Sequence, residues 1–226
     1  MSCYQAICFD LFDTIIQFDE GKYTDVRRDG ILKTGWDPNA FSEAWNATHQ
    51  AALEGVFLTL DERYRAVLDR MKNREGEREI LPQVMKLELA AIRAAVKPVP
   101  GMKDLLIYLL RKKKRLGLIS NASCIGPVIL EQLNWQHYFD EQVFSFAEKL
   151  WKPNPDIYLL ACDRLGYPPQ QAAFVSDGDG GELTGASDAG LDPIRFDPGN
   201  LYPDQPLPPG CFICRNTDEL KYRLMI

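Results

Sequence analysis

The sequence predicts an α/β fold, a parallel β-sheet with helices on both faces, interrupted near its start by an all-helical insert. Short apolar runs alternate with helix-length amphipathic stretches from residue 98 onward. An isolated apolar run, "QAICF", precedes a long segment with no strand pattern. Polar residues follow several of the runs directly, at the carboxyl ends of strands, where a parallel sheet places its chemistry. With 226 residues, 46% hydrophobic and 26% charged, the chain is long enough for one full core and an accessory domain.

Residues 5–9 form the first strand, which ends in Asp10. Asp37-Pro38 supplies an N-cap and a first-turn proline, and Phe41, Ala44, Trp45 and Thr48 follow at helical spacing until Gly55. Thr59 with Glu62 reads as a capping box ahead of Tyr64, Val67, Leu68 and Met71 on one helix face. A third helix begins near Pro82, carries Val84, Leu87 and Ile92, and stops before Pro98. Residues 17–97 are therefore a helical insert that leaves and rejoins the sheet through short hinges near residues 16 and 98. Strand and helix then alternate: "LGLIS", "QVFSF", "AAFVS", "PIRF" and "CFICR" are strands, separated or followed by helices such as "IGPVILEQL", "PDIYLLACDRLG", "ELTGASDAG" and "DELKYRLM". Residues 1–16 and 98–226 together make a Rossmann-like core. The cationic run "RKKKR", Arg111 to Arg115, is expected to be the solvated last turn of a helix, where cations suit the helix dipole.

The formal net charge of −6 provides no field to attract nucleic acid or an acidic membrane. No apolar run reaches spanning length, and "MSCYQAICFD" lacks the layout of a signal peptide, so a cytoplasmic protein is expected. The six cysteines make no small-domain framework and are expected to be reduced. Cys211 and Cys214 are a lone C-x-x-C with no second pair, and a strand would send the two thiols to opposite faces. "DGDGGELTGAS" lacks the ending of a phosphate-binding P-loop, and a calcium loop begun at Asp177 would have Glu182 where its turn glycine belongs. No G-x-S-x-G elbow accompanies His49 or His137, so a serine hydrolase is excluded and both histidines are expected at or near the surface.

Four groups at strand ends remain: Asp10, Ser120 with Asn121, Lys152 and Asp177. Two such carboxylates suit a magnesium ion, while Lys152 and the Ser120 hydroxyl suit an anionic group. An aspartate beside a cation and a lysine has the chemistry of a nucleophile.

"FDLFDT", "LISNAS", "KLWKPNPDIYLLACDRLG" and "FVSDGDGGELTGASDAG" stand in the order and spacing of four motifs, and the chain here resembles the haloacid dehalogenase superfamily of hydrolases over nearly its whole length. The insert is similar to that family's helical cap of the C1 subgroup. The resemblance implies Asp10 as the nucleophile forming an aspartyl intermediate, with Ser120, Asn121 and Lys152 binding the transferring group. It also implies Asp10, Asp177 and the backbone carbonyl of Phe12 as ligands of Mg2+, and Glu182 as a nearby acid that orients a bound water.

Phe12 departs from the family's phosphatases, whose residue at this position is an aspartate that protonates the leaving oxygen. Such acid help contributes about 10²- to 10⁴-fold in rate. Asp13, the nearest carboxylate, is expected to point away, as the next position of an extended chain does. The family's dehalogenases carry an aromatic residue at the place of Phe12, but they work without metal and grip the substrate carboxylate with a cap arginine. Asn46 aligns loosely with that arginine, and Arg27, Arg28 and Arg63 are substitutes elsewhere in the insert. The expected function is a Mg2+-dependent phosphatase acting on a small phosphorylated metabolite with altered acid catalysis. Alternatives are a 2-haloacid dehalogenase-like hydrolase, or a pseudoenzyme binding a phosphorylated ligand or a protein partner. The expected partner is a small phosphorylated or haloacid substrate, with no nucleic acid and no membrane. The oligomeric state, monomer or homodimer, stays open because Trp36 and Phe57 suit packing either within the chain or against a second copy.

Overall fold

Strand β1 (Ala6–Phe9) is buried on both sides and sits in the middle of the sheet. The computed structural model describes residues 4–71, 77–201 and 203–225. After β1 come β2 (Ile16–Phe18), five helices, α1 (Glu20–Lys33), α2 (Pro38–Asn46), α3 (His49–Leu53), α4 (Leu60–Arg70) and α5 (Glu77–Ala95), and then β3 (Val96–Pro98). The remainder runs α6 (Met102–Arg111), β4 (Arg115–Ser120), α7 (Ile125–Leu133), β5 (Glu141–Phe144), α8 (Ser145–Glu148), α9 (Pro155–Leu165) and β6 (Ala172–Ser176). It ends with α10 (Glu182–Asp188), β7 (Asp192–Phe196), β8 (Phe212–Cys214) and α11 (Thr217–Met225).

The main sheet has the order β5-β4-β1-β6-β7-β8, and every neighbouring pair is parallel. Alternation along β1 serves two apolar layers. Ile7 and Phe9 join the layer that holds Leu105 and Leu109 of α6, while Ala6 and Cys8 face Ile157 and Ala161 of α9. The two-faced burial explains why the strands read as continuous apolar runs. No helix among the described residues is long and apolar enough to cross a membrane.

Near the expected hinge positions 16 and 98 the chain forms a two-stranded antiparallel ribbon: Ile16 pairs with Pro98, Gln17 with Lys97 and Phe18 with Val96. Strands of three residues are too short to show a periodicity. Helix α1 has no counterpart in the sequence reading, because its buried stripe is Tyr23, Arg27, Gly30 and Ile31, helical in spacing but only half apolar. Helix α5 is already formed at Glu77 and contains Pro82, so that proline does not begin it. A proline near a helix start forfeits a single backbone bond, which tertiary packing of α5 against α1 overrides. The Asp37 N-cap and the Thr59–Glu62 capping box form as their sequences direct.

"RKKKR" is not one solvated helical turn. Helix α6 ends at Arg111, Arg115 opens β4, and Lys114 is buried, donating to the Tyr4 carbonyl. Cys214 is buried in β8 and Cys211 lies just before it, both as free thiols. His49 and His137 are exposed.

A polar knot lies within the apolar interior of the insert. The hydroxyls of Tyr23 and Tyr64 both donate to the buried Glu88 carboxylate, the latter at 2.6 Å. Arg27 Nη1 donates to Tyr23 Oη at 3.1 Å, and Arg63 Nε donates to Thr48 Oγ1 at 3.1 Å. Both guanidiniums lie on Trp45, with centroid distances of 4.8 Å for Arg27 and 3.7 Å for Arg63. Buried charges persist only when paired and hydrogen-bonded, and the knot meets that condition for Glu88.

Two predictions follow from this packing. A Cβ on Gly185 in α10 would lie 2.1 Å from the Pro153 carbonyl oxygen, so helix and loop meet backbone to backbone. Gly185→Ala should cost about 2 kcal/mol and lower Tm by about 5 °C in a thermal melt. Burial raises the Glu88 carboxyl above its ordinary value of 4.5, opposed by Arg27 and the two tyrosines. A carboxyl raised on folding contributes its full stability below that ordinary value and loses it as pH climbs through the folded value. The stability of the natural chain relative to Glu88→Gln should therefore fall as pH rises above 4.5 in urea unfolding.

Candidate active site

Each strand that meets at the centre of the sheet delivers a polar residue at its carboxyl end. Asp10 follows β1, with its amide donating to the Val175 carbonyl at 2.9 Å. Ser120 ends β4, Asn121 follows it, and Asp177 follows β6. Lys152 arrives from the loop between α8 and α9, and Glu182 begins α10. Asp10, Lys152, Asp177 and Glu182 are all buried.

Their charges converge. Lys152 Nζ pairs with Asp10 Oδ1 and with Glu182 Oε2. One oxygen each of Asp10, Asp177 and Glu182 lies within 4.8 Å of the others. This cluster of three acids is geometrically suited to chelate a divalent cation. Glu182 stands in the cluster itself, in contact with Lys152. Burial, with the Glu182 charge, raises the Asp10 carboxyl to about 7 despite the opposing pull of Lys152. Burial, with Glu182 and Asp10, raises Asp177 to about 8. Burial alone would lower the Lys152 ammonium, but the two carboxylates outweigh it and leave it raised.

Neighbouring groups hold the cluster in place. Asn121 clamps Lys152 twice, with Nδ2 donating to the Lys152 carbonyl and Oδ1 accepting from the Lys152 amide, both at 2.9 Å. Thr14 Oγ1 accepts from the Asp177 amide at 3.0 Å, and Tyr158 Oη donates to the Glu182 carbonyl at 2.7 Å. Sequence reasoning passed over Thr14 and Tyr158. Thr14 sits inside the quoted "FDLFDT" and Tyr158 inside "KLWKPNPDIYLLACDRLG", but neither bears a charge, and their backbone partners are remote in sequence.

A cavity of about 260 Å3 opens over these groups, walled by Asp10, Phe12, Asn121, Lys152, Asp177 and Glu182 among others. Ser120 does not line it; its buried Oγ has no hydrogen-bond partner among the described residues. Asp13 does line it, contrary to the extended-chain expectation. Its φ of +53° puts it in a left-handed turn, which breaks the strand alternation. Burial and the Asp179 charge raise its carboxyl.

A second cavity, about 360 Å3, shares Phe12 and Asn121 with the first and extends under the insert. Phe18, Tyr23, Trp45 and Leu53 supply its apolar wall, and Arg27 and Arg63 its cations. Asn46 lines it as well, whereas Arg28 does not and is exposed.

Comparison with known proteins agrees with this geometry. Residues 4–190 match the family of haloacid dehalogenase-like hydrolases. (S)-2-haloacid dehalogenase 4A of Burkholderia cepacia is 38% identical over 199 residues, 85% of this chain and 82% of that protein. Glyceraldehyde 3-phosphate phosphatase of Methanopyrus kandleri is 31% identical over 128 residues, 56% of this chain and 52% of that protein. The chain spans about half the length of the several phosphatases it matches in this way. In fold, the crystal structure of a 2-haloacid dehalogenase from Pseudomonas syringae pv. Tomato DC3000 superposes with a TM-score of 0.73 at 19% identity, covering 98% of each chain. With the family match running from before β1 through the end of α10, the chain belongs to the haloacid dehalogenase-like hydrolases, with a helical cap inserted between core strands.

Proposed function

We propose that this chain is a 2-haloacid dehalogenase-like hydrolase in which Asp10 displaces a leaving group that needs no proton. Phe12 carries this reading. Its ring walls both cavities at the place where ester cleavage wants an acid, and it packs edge-on to Phe18 at 6.1 Å. A carboxylate oxygen of Asp10 attacks the carbon bearing the halogen; the C–O bond forms as the C–halogen bond breaks, and the halide leaves with the bonding pair. Water then hydrolyses the resulting ester and frees the hydroxy acid and Asp10. Asp177 and Glu182 are the carboxylates beside Asp10 that suit the base for that water. Lys152 favours the ionised form of Asp10 against the cost of burial. In the second cavity, buried Arg27 donates one hydrogen bond among the described residues, to Tyr23, and offers its remaining donors to a substrate carboxylate. Residues 17–97 act as the cap over the substrate, and residues 1–16 and 98–226 as the core.

A second reading, a Mg2+-dependent phosphatase, is favoured by the acid cluster. Lys152 leaves part of the negative charge of Asp10, Asp177 and Glu182 uncompensated, and carboxylate oxygens are the hard donors that Mg2+ prefers. Asp10, Asp177 and the Phe12 carbonyl would hold the ion, which when bound supplies Lewis-acid charge neutralisation.

Halide release from 2-haloacids, with and without Mg2+, tests the first reading. The natural chain should release halide without added metal and Asp10→Asn should not; turnover of phosphate esters alone would overturn the dehalogenase reading. Phe12→Asp divides the two readings in one variant. It should depress halide release, whereas a Mg2+-dependent gain of about 10²- to 10⁴-fold in phosphatase rate would show that only the acid was missing. Metal occupancy has a readout apart from turnover. Mg2+ should raise the Tm of the natural chain in a thermal-shift assay, and Asp177→Asn should abolish the response. An unchanged Tm for the natural chain in millimolar Mg2+ would remove the metal from the mechanism.

A further inference from the structure

The loop that delivers Lys152 to the nucleophile carries a second lysine that reaches the other way. Lys149 lies just past α8, its backbone left-handed at φ +60° and its amide bonded to the Ser145 carbonyl at 2.9 Å. Its ammonium crosses to the insert and donates to two carbonyls just past the end of α3, Glu54 at 2.6 Å and Gly55 at 2.5 Å. These follow the C-terminal end of a helix, where backbone oxygens lack intrahelical partners and a cation is favoured.

Residue 55 fits the same contact. Its φ is +68°, and a Cβ there would fall 1.8 Å from the Phe146 carbonyl oxygen and 2.3 Å from Lys149 Nζ. The collision is with the core backbone, which cannot swing aside as a side chain does. Cap and core therefore touch backbone to backbone at Gly55 and are tied by Lys149 at the same point. His49 and Leu53 of α3 line the second cavity, so the tethered segment is also part of the substrate enclosure. Elsewhere between cap and core, the Arg93 guanidinium donates two hydrogen bonds to Gln132 Oε1, at 2.9 and 3.2 Å. That contact and the Lys149 bond to Glu54 are both exposed, whereas the Lys149 bond to Gly55 is half-buried; the close backbone contact at Gly55 sets the Lys149 site apart.

We propose that Lys149 is a positioning residue that latches the cap over the active site, with Gly55 as its keeper on the cap side. The latch and the nucleophile's lysine share one short segment, clamped at Lys152 by Asn121. Closing the cap on Lys149 thus braces the loop from which Lys152 reaches Asp10. The inference holds for either leaving group, because it concerns enclosure and not the bond broken.

Hydrogen–deuterium exchange on the full chain tests the latch without requiring any turnover. Lys149→Met should shift the closed-to-open ratio by about tenfold, the effect of losing charge-assisted hydrogen bonds. Exchange should quicken in residues 49–56 of the cap and 121–126 of the facing core loop, with β1 and β4 unchanged. Gly55→Ala should reproduce the pattern, and Lys149→Arg, which keeps a cationic donor, should restore slow exchange. Exchange identical to the natural chain in Lys149→Met would overturn the latch. So would a rise spread evenly through β1 and β4, which would mean a loss of general stability instead.

Discussion

Three carboxylates and one ammonium, all withdrawn from water, form the constraint around which this molecule is organised. Lys152 touches Asp10 and Glu182, while Asp177 stands within the same cluster with no ion-pair partner among the described residues. Gathering like charges in a low-dielectric site is unfavourable, and the raised carboxyls of Asp10 and Asp177 express that cost. The surrounding fold supplies the compensation through fixed geometry. Asn121 grips the Lys152 backbone, Thr14 holds the Asp177 amide, and Tyr158 holds the carbonyl of Glu182. The close approach of α10 to the Lys152 loop at Gly185 completes the frame. The parallel sheet brings these groups together at its neighbouring strand ends.

What such a cluster does depends on the residues beside it that carry no charge. Phe12 takes a position where a carboxylic acid would serve ester cleavage and turns it into an apolar wall joining two cavities. An aspartate nucleophile attacks carbon or phosphorus equally well in principle; the leaving group decides whether a proton must be delivered. Halide departs as a stable anion, while an alkoxide does not. In the proposed reading, Phe12 thereby favours a leaving group that needs no proton. The relatives include a haloacid dehalogenase matched over 199 residues and phosphatases matched over shorter stretches.

The cap has a separate physical logic. Its interior is not purely apolar, since Glu88, Tyr23, Tyr64, Arg27 and Arg63 interlock among Phe41 and Trp45. Such a knot gives up some stability relative to an apolar core and in return sets two guanidiniums in fixed orientations along a cavity wall. The ribbon of β2 and β3 anchors one end of the cap, and the Lys149 contact meets it at another. The cap cavity and the Lys149 contact are thus built from residues that lie far from Asp10 in sequence.

The alternation of apolar runs with amphipathic stretches determined the parallel sheet, its two covered faces and the residues at its strand ends, because burial on both sides leaves continuous apolar runs that local composition can show. Asp10, Lys152, Asp177 and Glu182 were legible for the same reason: each directly follows or opens a recognisable element. The caps at Asp37 and Thr59 were equally local. Helix α1 was not legible, since its buried stripe includes an arginine and a glycine whose partners come from α5. The turn that carries Asp13 into the cavity, the withdrawal of Ser120 from it, and the burial of Lys114 were decided only by tertiary structure. So were the Arg27 and Arg63 wall and the Lys149 bridge to Gly55. Each of these depends on where a distant backbone or ring comes to lie, and pattern along the chain records the period of an element but not the neighbour it will meet.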